Sequence, residues 1–230
     1  KVPPFDKKSF RKALDRSINR KEIIKYKLEG LATPAVSILS PENFFHHPNL
    51  TPAKYDLKLA KKLIKNLSIP ELTLKTSNSP GAVDIGKVLV NQLNQLGLDI
   101  KQKSFEWGTY YGDINKGRFE MATMNWIGVI DPDIFRFALH SAEIPPGRNR
   151  GGFSDPRLDQ LVERGLAVKD QKERKKIYHE VQKIVYEELP IIPLWHNTQV
   201  VIAHKRVKDF VPARNGAYLP FRRLRLENGK

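Results

Sequence analysis

Residues 71–105 constrain the fold more than any other stretch. "ELTLKTS" alternates apolar and polar residues with period two, the pattern of a half-buried strand. "SNSPG" is a turn, and apolar residues then fall at helical spacing through Val83, Val88, Leu89, Leu93 and Leu96, ending at Gly97. "LDIKQKSF" alternates again. A strand, a helix and a strand within 35 residues predict parallel pairing, because the crossover helix returns the chain to the edge it left. A short helix near 110–116 then leads to a third strand in "FEMATMNW", residues 119–126. The class is α/β, with helices flanking a mixed sheet of about four or five strands.

The flanking sequence is helix-rich. Asp6 is placed to cap a helix through Phe10, Ala13, Leu14 and Ile18, and Asn19 with Glu22 forms a capping-box-like pair for a second that ends at Gly30. Prolines at 34, 41, 48 and 52 make 31–55 a long ordered loop, and Asp56 starts the next helix. Asp155 caps a helix through Leu158, Leu161 and Val162, and a longer one runs over about 170–188. "LPIIPLW" and "TQVVIAH" read as extended, and the tail from Lys208 as turns with a last strand.

Several function classes fall away. With no cysteine there is no disulfide, no thiolate nucleophile and no cysteine zinc site. The six histidines lack metal-ligand spacing, so neither a metal nor any other cofactor is expected. No apolar run is long enough for a transmembrane helix. Forty Lys and Arg against 25 Asp and Glu give a net charge of +15, which suits an acidic partner such as nucleic acid, an anionic membrane or an acidic solute. Yet the cations lie on amphipathic helix patterns such as "KKSFRK", "AKKLIK" and "KERKK", as on a solvated face, and no nucleic-acid motif accompanies them. No nucleic-acid partner is expected.

The third strand ends in "NWIGVIDPDIF", residues 125–135. Two carboxylates this close could be catalytic if their environments separated their pKa values. The simpler reading makes Asp131 a helix N-cap, Pro132 the first helical residue and Asp133 a complement to the helix dipole. In an open parallel sheet the point where a strand ends and a helix begins faces the ligand. Trp126 is therefore either an indole stacking on a solute or a core residue, with Asn125, exposed backbone near Gly128, and Asp131 beside it.

At this point the chain resembles the large ligand-binding lobe of the family 5 extracellular solute-binding proteins of bacterial ABC importers, over roughly residues 4–210. "PFDKKSFRKALDRSINRKEII" is similar to the family's opening helix and its Asp-Arg or Asn-Arg break. "LEGLATPAVSILSP" is similar to its Gly-x-Ala-x-Pro loop, "YDLKLAKKLIKNL" to its next helix, and "NWIGVIDPDIF" to its tryptophan and Asp-Pro-Asp element. "GGFSDPRLDQLVERGLAVKDQKERKKIYHEVQKIVYEELPIIPLW" is similar to a late block with a Leu-Asp pair, an Arg, a Tyr and a Pro.

The resemblance implies a periplasmic-binding-protein-like lobe of type II, residues 1–206, with 207–230 returning toward a second lobe outside this sequence. It implies reversible binding of a small solute or peptide, no enzymatic activity, a cognate ABC permease as partner, a monomer, and an extracytoplasmic location with any membrane anchor upstream. It places Trp126 beside the ligand. Peptide receptors of the family usually carry an acidic residue three positions after that tryptophan, paired with the peptide's α-ammonium. Here Val129 stands there, so either Asp131 substitutes or the solute is not a simple free-amine peptide. The alternative role is a ligand-sensing domain of a transcriptional regulator with the same kind of lobe.

Overall fold

The computed structural model describes residues 2–213 and 219–227; positions 214–218 and 228–230 of the turn-rich tail lie outside them. In chain order come α1 (Lys8–Ser17), α2 (Arg20–Lys27), β1 (Ala32–Pro34) and α3 (Leu57–Ile64). Then follow β2 (Leu72–Ser77), α4 (Pro80–Asn94), β3 (Ile100–Phe105), α5 (Trp107–Asn115) and β4 (Met121–Ala122). The rest comprises α6 (Ile134–Leu139), α7 (Pro156–Ala167), α8 (Gln171–Glu188), β5 (Trp195–Asn197), β6 (Val207–Lys208) and β7 (Arg225–Leu226), with short 3-10 turns at Ser141–Glu143 and Leu219–Arg223.

The crossover unit forms as its pattern dictates. β2 and β3 pair in parallel from Leu72↔Ile100 to Ser77↔Phe105, and β2 buries alternate residues Leu72, Leu74 and Thr76 against α4. β4 joins the other side of β2 in parallel, giving the order β3-β2-β4. The expected strand over 119–126 shrinks to two residues for a local reason. Glu120 accepts the Thr73 N–H through its carboxylate at 2.6 Å, and the Thr123 carbonyl accepts from the buried Tyr110 hydroxyl. Both ends of the ladder are thus taken by side chains. The α/β class stands, but the strands do not share one sheet. β1 and β5 pair antiparallel in a second sheet, and β6 and β7 form a separate ribbon. Within "TQVVIAH" no strand forms, and Ile202 is 96% exposed.

Most helix starts follow their cap residues. Asp56, Asp155 and Asp170 accept backbone N–H groups at 2.8–2.9 Å, and Asn19 and Glu22 bond reciprocally. Gly30 takes φ +77° and its N–H reaches the Ile24 carbonyl at 2.9 Å, closing α2. Asp6 departs from expectation. The cap position of α1 is Lys7, with no side-chain bond, because the Phe5 and Asp6 carbonyls are drawn to the Arg11 guanidinium at 2.9 and 3.1 Å.

Two apolar cores result. One packs α1, α3, α4 and the parallel sheet around Phe10, Leu14, Leu72, Leu74, Leu93 and Ile100. The other packs α6, α7 and α8 with the 31–55 loop around Leu39, Phe135, Leu158, Tyr178 and Val181. Two buried arginines tie the N-terminal helices to 188–194, where Ile191 packs on the second core and Ile192 and Leu194 on the first. Arg11 donates to the Glu188 carbonyl at 2.6 and 2.9 Å and to the Leu189 carbonyl at 3.2 Å, at the C-terminus of α8. Arg20 pairs with Asp15 at 2.5 Å and donates to the Pro193 carbonyl at 2.8 and 2.9 Å. Gln182, also buried, holds the long loop to α8 through the Phe45 carbonyl and the His47 N–H.

Two outcomes follow for stability. Arg11→Ala strands four carbonyls that now share one guanidinium, and urea unfolding should show a loss of about 3 kcal/mol or more. Arg11→Lys should recover little of it, because a single ammonium cannot span both segments. In α7, a Cβ at Gly165 would lie 2.8 Å from the ring of the fully buried Tyr178. Overpacking of about 1–3 kcal/mol then outweighs the ~1 kcal/mol helix-propensity gain, so Gly165→Ala should lower the denaturation midpoint.

Candidate functional site

Because β2, β3 and β4 run parallel, their C-terminal ends share one edge. From it leave Asn78 and Ser79 into α4, Glu106 into α5, and the chain from Thr123 toward Asp131. Glu106 caps α5 by accepting the Gly108 and Thr109 N–H groups at 2.7 and 3.3 Å, and these bonds hold its carboxyl below the usual carboxylate range. Tyr110, one turn into α5, fixes the start of the third exit through Thr123. Burial pushes its phenol pKa up.

Beyond Thr123 the chain leaves the ladder. Asn125, Trp126, Ile127 and Gly128 are exposed, the indole 41% so. Among the described residues, no backbone N–H or carbonyl of 125–128 has a protein hydrogen-bond partner. Gly128 turns the chain at φ +72°, a conformation that favours glycine. Val129 then packs onto the helical core, and Asn43 donates to the Ile130 carbonyl at 2.8 Å.

Asp131 anchors the far end. Its Oδ1 accepts the Asp133 N–H at 2.8 Å, and both its oxygens are held by the Arg174 guanidinium at 2.7 and 2.8 Å. The hydrogen bonds to Arg174 are the main cause of the lowering of the Asp131 carboxyl pKa. The Arg174 Nε donates to the Gly165 carbonyl at 2.9 Å, so the anchor reaches both α7 and α8. The helix-cap reading of Asp131 is therefore corrected. α6 begins at Ile134, and Asp131 forms a turn and an ion pair instead. Asp133 faces Arg136 at 3.2 Å. The two carboxylates answer to two different arginines.

The four sequence-derived site residues, Asn125, Trp126, Gly128 and Asp131, thus lie on one segment between two fixed points. Sequence reasoning missed a second aromatic group at the same edge. Trp107, 55% exposed at the start of α5, stacks on Tyr111 with centroids 5.6 Å apart and planes 17° from parallel. Arg150 lies over the other partner's ring, 5.2 Å from the Tyr111 centroid. The signal was present in "FEWGTYYG", directly after the second strand. Arg174 had no local signal at all. The histidines that do meet, His47 and His179, pack their rings 4.8 Å apart. Among the described residues no three metal-ligating side chains converge.

Comparison with known proteins agrees with this architecture. The family model for bacterial extracellular solute-binding proteins, family 5 (middle), matches residues 1–143. Di/tripeptide-binding protein 1 of Pseudomonas aeruginosa is 28% identical over 216 residues, covering 90% of this chain and 40% of that protein. The chain thus spans about two fifths of the length of such curated relatives. The periplasmic binding protein DppA of Helicobacter pylori, solved with the peptide STSA, superposes with a TM-score of 0.86 at 29% identity over 99% of this chain and 45% of its own. HbpA2 of Haemophilus parasuis gives 0.86 at 25% identity, over 99% and 46%. The fold is that of a type II periplasmic binding protein, and the match over more than half its length shows that the chain belongs to the bacterial extracellular solute-binding proteins of family 5.

Proposed function

We propose that the chain supplies the large lobe of a two-lobe receptor for an ABC importer and binds a peptide-type solute reversibly, outside the cytoplasm. One observation carries this reading: the unpaired, exposed backbone of 125–128 at the C-terminal edge of the parallel strands, with the Trp126 indole beside it. Free main-chain donors and acceptors can pair with an extended peptide, and an indole adds stacking area. The peptide STSA bound in the Helicobacter pylori structure supports it. Asp131, engaged by Arg174, serves the site by holding the segment in place, and is a poor counter-ion for a peptide α-ammonium. Recognition accordingly rests on main-chain pairing at 125–128 and stacking on Trp126. Residues 1–206 form the lobe and 207–230 lead toward the second one. The exposed apolar Val211 on that path, and the exposed run Val200, Val201 and Ile202 just before it, are consistent with this division. No step of the function is covalent.

Titrating short peptides into the isotope-labelled chain should shift the amide resonances of 125–128, weakly because the second lobe contributes contacts of its own. Shifts confined to other surfaces would overturn the site. Trp126→Ala should weaken peptide binding five- to tenfold, about 1–1.4 kcal/mol, while leaving the unfolding midpoint unchanged, as calorimetry and denaturation can show. The Asp131 anchor sets a pH window. Its folded carboxyl pKa is depressed, so its contribution is complete above the ordinary carboxylate value of about 4 and disappears as pH falls through the lower folded value. The protection factor of the Asp133 amide, whose N–H the Asp131 carboxylate accepts, should hold through neutral and mildly acidic pH and drop only below that range, as hydrogen exchange corrected for the intrinsic rate can show. Asp131→Asn, which loses the ion pair with Arg174, should show the lowered protection at every pH.

A further inference from the structure

The net charge is not spread evenly. Lys58, Lys61 and Lys62 project from the outer face of α3, Lys65 follows at its C-cap, and Lys54 stands just before it, each exposed. Arg16 of α1 reaches the Lys54 carbonyl at 3.3 Å, and Lys12 lies one turn earlier on the same exposed stripe. Among the described residues none of these seven cations forms an ion pair. Some lysines elsewhere are matched, such as Lys8 with Glu188, Lys75 with Asp113, Lys101 with Glu71, and Lys183 with Glu180, while others, such as Lys172 and Lys176 on α8, stand exposed without an ion pair among the described residues. Asp56, the acid that caps α3, has its Oδ1 occupied by the Leu59 N–H at 2.8 Å. At ~1.5 Å per helical residue the α3 lysines fall within roughly 10 Å, about one Debye length at physiological salt, so their fields add.

We propose that the α1–α3 face docks on an anionic lipid bilayer. The chemistry of the face favours lipid over a protein or a nucleic acid. α3 carries lysine alone, a compact hydrated point charge, where interfaces with defined carboxylate or phosphate partners favour the bidentate arginine fork and are depleted in lysine. Tyr55, whose hydroxyl donates to Gln95 Oε1 at 3.2 Å, and Leu59 are 42% and 39% exposed among the lysines, and amphipathic and apolar side chains of this kind favour a headgroup boundary. Clusters of four to eight lysines on an amphipathic helix are attracted to anionic headgroups, each adding to the partition. The face is independent of the segment 125–128 and of any solute bound there.

The test is co-sedimentation of the purified chain with vesicles of phosphatidylcholine alone and of phosphatidylcholine mixed with phosphatidylglycerol. The chain should pellet only with the second and be released as salt is raised. The variant K58E/K61E/K62E/K65E should lower the partition by at least roughly tenfold, whereas K172E/K176E on α8 should change it by less than about twofold. Lys→Gln at the same four positions answers the same question should charge reversal disturb folding, with circular dichroism as the check. Equal binding to both vesicle types overturns the proposal, as does equal loss in both variants. Retention on heparin or duplex DNA without vesicle binding also overturns it, and identifies a polyanion-binding face instead.

Discussion

Two guanidinium groups hold this molecule together. Arg11 projects from α1 and Arg20 from the start of α2, and both end on main-chain carbonyls of 188–193, 177 and 173 residues away. A guanidinium presents up to five donors in a rigid fork, and buried carbonyls at the end of a helix need donors. The pairing therefore satisfies groups that neither apolar core could satisfy. It also sets where α8 ends, because Leu189 adopts a left-handed conformation there with φ 47°. From that turn the chain runs through 190–194 to β5 and its partner β1.

The same division into two cores explains the candidate site. The segment from Thr123 to Asp131 crosses from the sheet to the helical core. Each end is clamped by a side chain from elsewhere: Tyr110 at the first, Arg174 at the second. Between the clamps, among the described residues, the backbone of 125–128 has no protein partner, so water or a solute must satisfy it. A rigid scaffold with an unsatisfied strip at a strand edge is a common way for an α/β fold to offer a binding surface.

Much of this was legible in the sequence, and the misses have physical causes. The crossover unit and the caps at Asn19, Asp56, Asp155 and Asp170 depend on residues within a few positions, which periodicity and local chemistry report well. The length of β4 depends on Tyr110 capturing the Thr123 carbonyl, and the role of Asp131 on an arginine 43 residues later. Asp6 lost its cap to the pull of Arg11 on the carbonyls around it. Each error is a local rule overridden by a longer-range side-chain bond. The family resemblance pointed to Trp126, but the second tryptophan at the edge, Trp107, needed the topology that flanks β2 with β3 and β4 as parallel neighbours, so that their C-terminal ends share one edge.

The exposed strip also bears on how such a chain can change over generations. Of the positions from Asn125 to Ile130, Val129 is the one that packs into a core. Substitution at exposed positions outside caps and cores usually alters stability by less than about 0.5 kcal/mol. Asn125, Trp126, Ile127 and Ile130 can therefore vary while the clamps at Thr123 and Asp131 keep the strip in place. In the proposed reading, selectivity and foldability are written in different residues, and a lineage can revise one without renegotiating the other.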